Sequence, residues 1–95
     1  MSLYSLKGIP QEITLTTGSV ASPRMFNAHY VLIRPSVNVY IAVGPNPTAV
    51  ADGNICHFIG EGEMFPLQVE HTDKLAAIPA TAVEAGGKVR ISSIG

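Results

Sequence analysis

The chain's only cysteine, Cys56, stands beside His57, a nucleophile next to a base. Thiolate attack requires the imidazole within hydrogen-bond reach of the sulfur. If residues 55–59 form a strand, adjacent side chains point to opposite faces and the two cannot meet. Cys56, in a run with Ile55 and Ile59, then reads as a small buried residue. His29, His57 and His71 could join Asp52, Glu61 or Glu63 around a metal. Their separations of 28 and 14 residues match no local ligand spacing, and neither His-X-His nor His-X-X-X-His occurs.

A cupin-type enzyme would need paired histidines followed by a glutamate, which the chain lacks. Gly60-Glu61-Gly62-Glu63 is rich in glycine, but its two carboxylates would repel phosphate. It reads as a hairpin turn, with weak Ca²⁺ binding as the chemical alternative because paired acids supply hard oxygen ligands. No Gly-X-Ser-X-Gly is present. Tyr4, Tyr30, Tyr40, Phe26, Phe58 and Phe65 could stack sugars, yet most fall at strand positions read as core, so core packing is expected. No catalytic residue, cofactor or metal ligand is assigned.

Composition narrows the remaining classes. Ninety-five residues make one domain. Charged residues are 14% of the chain, against about 25% in typical soluble domains. A small protein short of charge has apolar or neutral surface to bury against another chain, so a homo-oligomer or a bound partner is expected. Six basic residues are spread singly in a chain of net charge −1, which argues against nucleic acid. No apolar run approaches the roughly 20 residues that span a bilayer, and the N-terminal residues lack a signal-peptide core, so neither membrane nor secretion is expected. A lone cysteine agrees with a reducing cytoplasm. Asn46-Pro47-Thr48 has proline in the middle and is no glycosylation acceptor.

The elements that must carry these residues are strands. The central stretch, Asn27 to Gly44, holds two apolar runs hinged at Arg34-Pro35-Ser36 and predicts two neighbouring strands. In the second run Val37, Val39, Ile41 and Val43 share a face; the first is apolar on both sides and is placed centrally. Gln11 to Thr17 alternates as a half-buried strand, and Gly18 to Met25 reads as a loop. Residues 45–54, with two prolines, form the longest loop. Ile55 to Ile59, Met64 to Val69 as an edge, Lys74 to Ala80, and Lys88 to Ser93 complete the set. In the last, Val89 and Ile91 point inward and Lys88, Arg90 and Ser92 outward. About seven strands at this spacing, with no amphipathic helix, predict an all-β fold: a single antiparallel β-sandwich or small jelly roll over residues 11–95. Residues 1–10, with Leu3, Tyr4, Leu6 and Ile9 but no period, read as an extended N-terminal arm.

The run Val39-Tyr40-Ile41-Ala42-Val43-Gly44-Pro45-Asn46-Pro47-Thr48-Ala49, with Lys74 to Ile78 and Gly86 to Ser92, resembles small virion proteins of tailed bacteriophages. The likeness covers about residues 28–94 and rests on turn glycines, prolines and alternating aliphatics. It implies a non-enzymatic part of the particle, assembled in the host cytoplasm. The first expectation is a capsid decoration (cement) protein that binds the major capsid protein. Alternatives are a tail, head–tail adaptor or fibre-base component and, from another class, a carbohydrate-binding module. Expected partner contacts are Leu3, Tyr4, Leu6 and Ile9 on the arm and Pro45, Asn46 and Pro47 on the long loop.

Overall fold

Alternating apolar and polar residues commit most of this chain to extended structure, and the turn formers between them decide which strands meet. The computed structural model describes the backbone of residues 6–9 and the whole of residues 10–24, 26, 29–70 and 72–94. Its strands are β1 Leu6–Thr14, β2 Val20–Ala21, β3 Tyr30–Pro35, β4 Val39–Gly44, β5 His57–Ile59, β6 Phe65–Gln68, β7 Lys74–Pro79 and β8 Lys88–Ile94. The chain doubles back at the β4–β5 loop, so that β1 pairs with β8, β2 with β7, β3 with β6 and β4 with β5, all antiparallel. This ribbon then rolls up, bringing β8 against β3 and β7 against β4. Two four-stranded sheets result: sheet I in the order β1-β8-β3-β6 and sheet II in the order β2-β7-β4-β5. The all-β sandwich expected from the sequence is what the chain forms.

The inward parity of the inner strands is aliphatic. Val31 and Ile33 of β3, Val39 and Ile41 of β4, Leu75 and Ala77 of β7, and Val89 and Ile91 of β8 form the buried core with Ile13, Leu15, Phe26, Ile59 and Val69. Each large aliphatic side chain so buried contributes about 1.5–3 kcal/mol relative to exposure. Arg90 faces out, and Lys88 and Ser92 are half-buried, as the alternation in β8 requires. β7 is a strand in spite of its Leu-Ala-Ala composition, and its proline sits at the last position. β6 is the expected edge.

Four expectations are corrected. The stretch Gly18 to Met25, read as a loop, contains β2, which brings the described residues to eight strands where about seven were expected. Two residues are too short to show a period. β3 and β4 are not paired neighbours: each is central, but in opposite sheets. The corner between them is held to β8, since the Ser36 N–H donates to the Lys88 carbonyl at 2.8 Å and the Lys88 N–H to Ser36 Oγ at 2.9 Å. β1 begins at Leu6, so residues 6–10 belong to the sandwich and not to an arm; residues 1–5 lie outside the described residues. Between Lys7↔Ser93 and Gln11↔Ile91 the register shifts, placing Gly8, Ile9 and Pro10 opposite Ser92 alone. That bulge is what interrupts the period of β1 in the sequence. Residues 60–63 turn the chain, with Gly62 at a φ of 77°, but they carry it from β5 in sheet II to β6 in sheet I and close no hairpin.

Candidate functional site

Cys56 and His57 face apart. Cys56 is buried just before β5, and its Sγ accepts the Val50 N–H at 3.3 Å, while His57 is exposed. His29 is also exposed, and His71 lies outside the described residues. Among the described residues no three His, Cys, Asp or Glu side chains gather as a metal site. The Glu63 carboxylate bends back to accept the Gly60 N–H at 3.1 Å and so caps its own turn.

Among the described aromatic residues Phe26 alone is buried in the core, and the others are not. Tyr30, Tyr40 and Phe58 take the outward parity of strands whose inward parity is already filled by Val31, Ile33, Val39, Ile41 and Ile59. Tyr40 and Phe58 meet edge-to-face across the β4–β5 pair, with centroids 5.4 Å apart and planes at 66°. Tyr4 lies outside the described residues. β5 and β6 are the edges of their sheets and are joined directly, so they form one side of the sandwich. Large apolar side chains are exposed along it, Ile55 at 65%, Phe58 at 53% with outward parity on sheet II, Met64 at 55% and Phe65 at 38%, interspersed with the exposed His57, Glu61, Glu63 and Gln68. Pro66 withholds a ladder donor from the β6 edge, which discourages sheet-to-sheet pairing there.

The β4–β5 loop carries three of the residues read as partner contacts: Pro45 and Asn46 are exposed and Pro47 half-buried. It is fastened internally. The N–H groups of Ile55 and Cys56 donate to the Asp52 carbonyl at 3.0 and 2.9 Å, and the Asn54 N–H to Asp52 Oδ1 at 2.9 Å. It is also fastened to sheet II, through the Ala49 N–H donating to Ser19 Oγ at 2.8 Å beside β2. Ala76 has outward parity on β7 yet is 0% exposed, while its partners Ala42 on β4 and Ala21 on β2 are half-buried and exposed. Of the residues assigned to the arm, Leu3 and Tyr4 lie outside the described residues, and the backbone of Leu6 and Ile9 is in β1. Of the two expected contact groups, only the long-loop residues have described side chains.

A cleft of about 600 Å³ opens on the outer face of sheet I, and no residue type in the sequence announces it. Its floor is Leu32, Arg34, Lys88, Arg90 and Ser92; Glu61, Gly62 and Met64 of the β5–β6 connection form one wall. Arg34 and Arg90 are directly opposite each other across the β3–β8 pair, and Glu12 is opposite Arg90 on β1. Glu12 divides its charge, Oε2 to Arg90 Nε at 3.3 Å and Oε1 to Lys88 Nζ at 3.5 Å. Lys88 Nζ also donates to Thr14 Oγ1 at 3.0 Å. Arg34 has no ion pair among the described residues. The outward alternation of Lys88 and Arg90 was legible in the sequence; that Arg34 stands beside them depends on β3 pairing with β8, which has no local signal. No family model, curated protein or solved structure matches the chain.

Proposed function

We propose that this protein is a non-enzymatic structural component of a tailed-phage virion, in the first place a capsid decoration protein that oligomerises and binds the major capsid protein. The observation that carries the reading is the exposure of the large apolar side chains Ile55, Phe58, Met64 and Phe65 along the β5–β6 segment of a chain with 14% charged residues. A surface of that kind acts by being covered. The fold supports the reading by analogy: two four-stranded antiparallel sheets form a sandwich, and double-sheet architectures of this kind occur in capsid and lectin domains. The sequence resemblance over residues 28–94 weighs toward a virion protein. The experiment is quantitative mass spectrometry of purified particles of the encoding phage, followed by reconstruction of the shell. Stoichiometric copies on the capsid lattice are expected; copies confined to the tail or baseplate would move the protein to the adaptor and fibre class, and absence from particles would reject both.

The exposed rings of Tyr30 and Phe58 favour one second reading, a carbohydrate-binding module, since exposed aromatics stack on sugar faces. Binding on a glycan array that is lost in Phe58→Ala or Tyr30→Ala would support it over the capsid role.

A further inference from the structure

We propose that the cleft on sheet I is a carboxylate-binding site, and that its occupant is an acidic residue on an extended segment of a protein partner. This deepens the reading of the protein as a partner-binding component and rests on it. Three of the chain's six basic residues, Arg34, Lys88 and Arg90, line this one cleft. Like charges directly opposite on neighbouring strands repel, and the Arg34–Arg90 pair has that relation. Glu12 is already shared between Lys88 and Arg90, and Arg34 makes no ion pair among the described residues. An anion bridging the two guanidinium groups replaces that repulsion with charge-assisted hydrogen bonds, which planar guanidinium groups make in pairs to carboxylates.

The charge around the cleft selects the kind of anion. Arg34, Lys88 and Arg90 against Glu12 and Glu61 leave a surplus of one positive charge, which suits a single carboxylate. A polyanion would meet the two acids. Leu32, Pro35 and Met64 supply apolar walls beside the cations, matching the methylene stem of a glutamate or an apolar neighbour of an acidic residue. Ser36 and Ser92 add hydroxyls at the rim.

The test follows the Arg34 and Arg90 Nε–H resonances by NMR in the full chain while four probes are added separately: Ac-Leu-Glu-Leu-NH₂, Ac-Leu-Gln-Leu-NH₂, glucuronate and inorganic phosphate. The glutamate peptide should shift both resonances saturably at millimolar concentration, and the glutamine peptide should bind at least tenfold more weakly. Arg34→Gln should weaken the glutamate peptide at least tenfold while leaving the melting temperature equal or higher, because Arg34 has no ion pair to lose. Equal binding of the two peptides, undiminished binding to Arg34→Gln, no shift at all, or tighter binding of glucuronate or phosphate would each overturn the proposal. None of these outcomes depends on finding the protein in a particle, so this test and the one for the virion role fail separately.

Discussion

Ser22 shows how one buried hydroxyl can hold two elements together. It is 2% exposed, its N–H donates to the Leu75 carbonyl at 2.6 Å, and its Oγ accepts the Leu75 N–H at 3.1 Å while donating to the Arg24 carbonyl at 3.3 Å. Ser22→Ala removes the acceptor and leaves the Leu75 N–H buried without it, a loss of about 1–3 kcal/mol. In a domain of this size that is a drop in melting temperature of at least about 4 °C, measurable by calorimetry. An unchanged melting temperature would show that the hydroxyl is dispensable. The adjacent residues Lys88 and Val89 test the parity of β8. Val89→Asp buries an unpaired carboxylate in the core and should cost several kcal/mol, about enough to unfold a marginal domain. Lys88→Asp gives up an exposed 3.5 Å pair with Glu12 and should cost about 1 kcal/mol or less. Comparable urea midpoints for the two variants would reject the inward and outward assignment. The roles of Lys88 and Val89 are legible in the sequence because alternation is a local property. That of Ser22 is not, because a serine between alanine and proline looks like any loop residue until β7 is laid beside it.

At the scale of elements, the corner that carries the chain from β3 to β4 leans on the turn before β8. A Cβ on Gly87 would come within 2.6 Å of Val37 Cγ2 and 3.2 Å of the Glu84 carbonyl oxygen, and the Gly87 carbonyl accepts the Leu15 N–H at 2.9 Å. Gly87→Ala must therefore displace Val37 or the turn, an overpacking cost of about 1–3 kcal/mol. Gly18→Ala, which meets nothing within 4 Å, is the control and should be near neutral in urea denaturation. Equal effects would mean that the close approach is relieved without strain. The β1 strand makes a second prediction. Deleting residues 1–9 removes the partners of Ser93 and Ile94 on β8, so the truncated domain should be less stable than one lacking residues 1–5. Equal denaturation midpoints would mean that the segment beyond the bulge adds nothing to the sheet. Strand identity was largely readable: β3 to β8 each show an apolar run or a period, bounded by glycine or proline. Strand pairing was not. The residues of β3 meet those of β8 some 60 positions away, and nothing local encodes that choice. The bulge hid the start of β1 for the related reason that a period interrupted by Gly8 and Pro10 ceases to look like one.

For the molecule as a whole, the decisive quantity is what the β5–β6 side gains by being covered. Ile55, Phe58, Met64 and Phe65 are each between 38% and 65% exposed. Full burial of such a side chain contributes about 1.5–3 kcal/mol, so covering the exposed fractions contributes about 1 kcal/mol or somewhat more for each. Four residues give at most about 4–6 kcal/mol from one chain if every one is covered, and a two-fold contact between identical copies at most doubles it. Association costs about 4–15 kcal/mol in lost rigid-body freedom before any contact is counted. The two sums are of similar size, which predicts self-association that is weak in dilute solution and becomes strong only where neighbours are held in place, as on a shell. Sedimentation velocity should show a monomer at low micromolar concentration and larger species as concentration rises. The double substitution Phe58→Ser, Met64→Ser should keep the protein monomeric at every concentration and leave it folded, since neither residue belongs to the core, with the melting temperature lowered by several degrees through loss of the Tyr40–Phe58 contact. If the wild-type chain is monomeric throughout, identical copies do not cover one another. The apolar side must then meet a different protein, and the double variant should lose recovery on particles while its sedimentation stays the same.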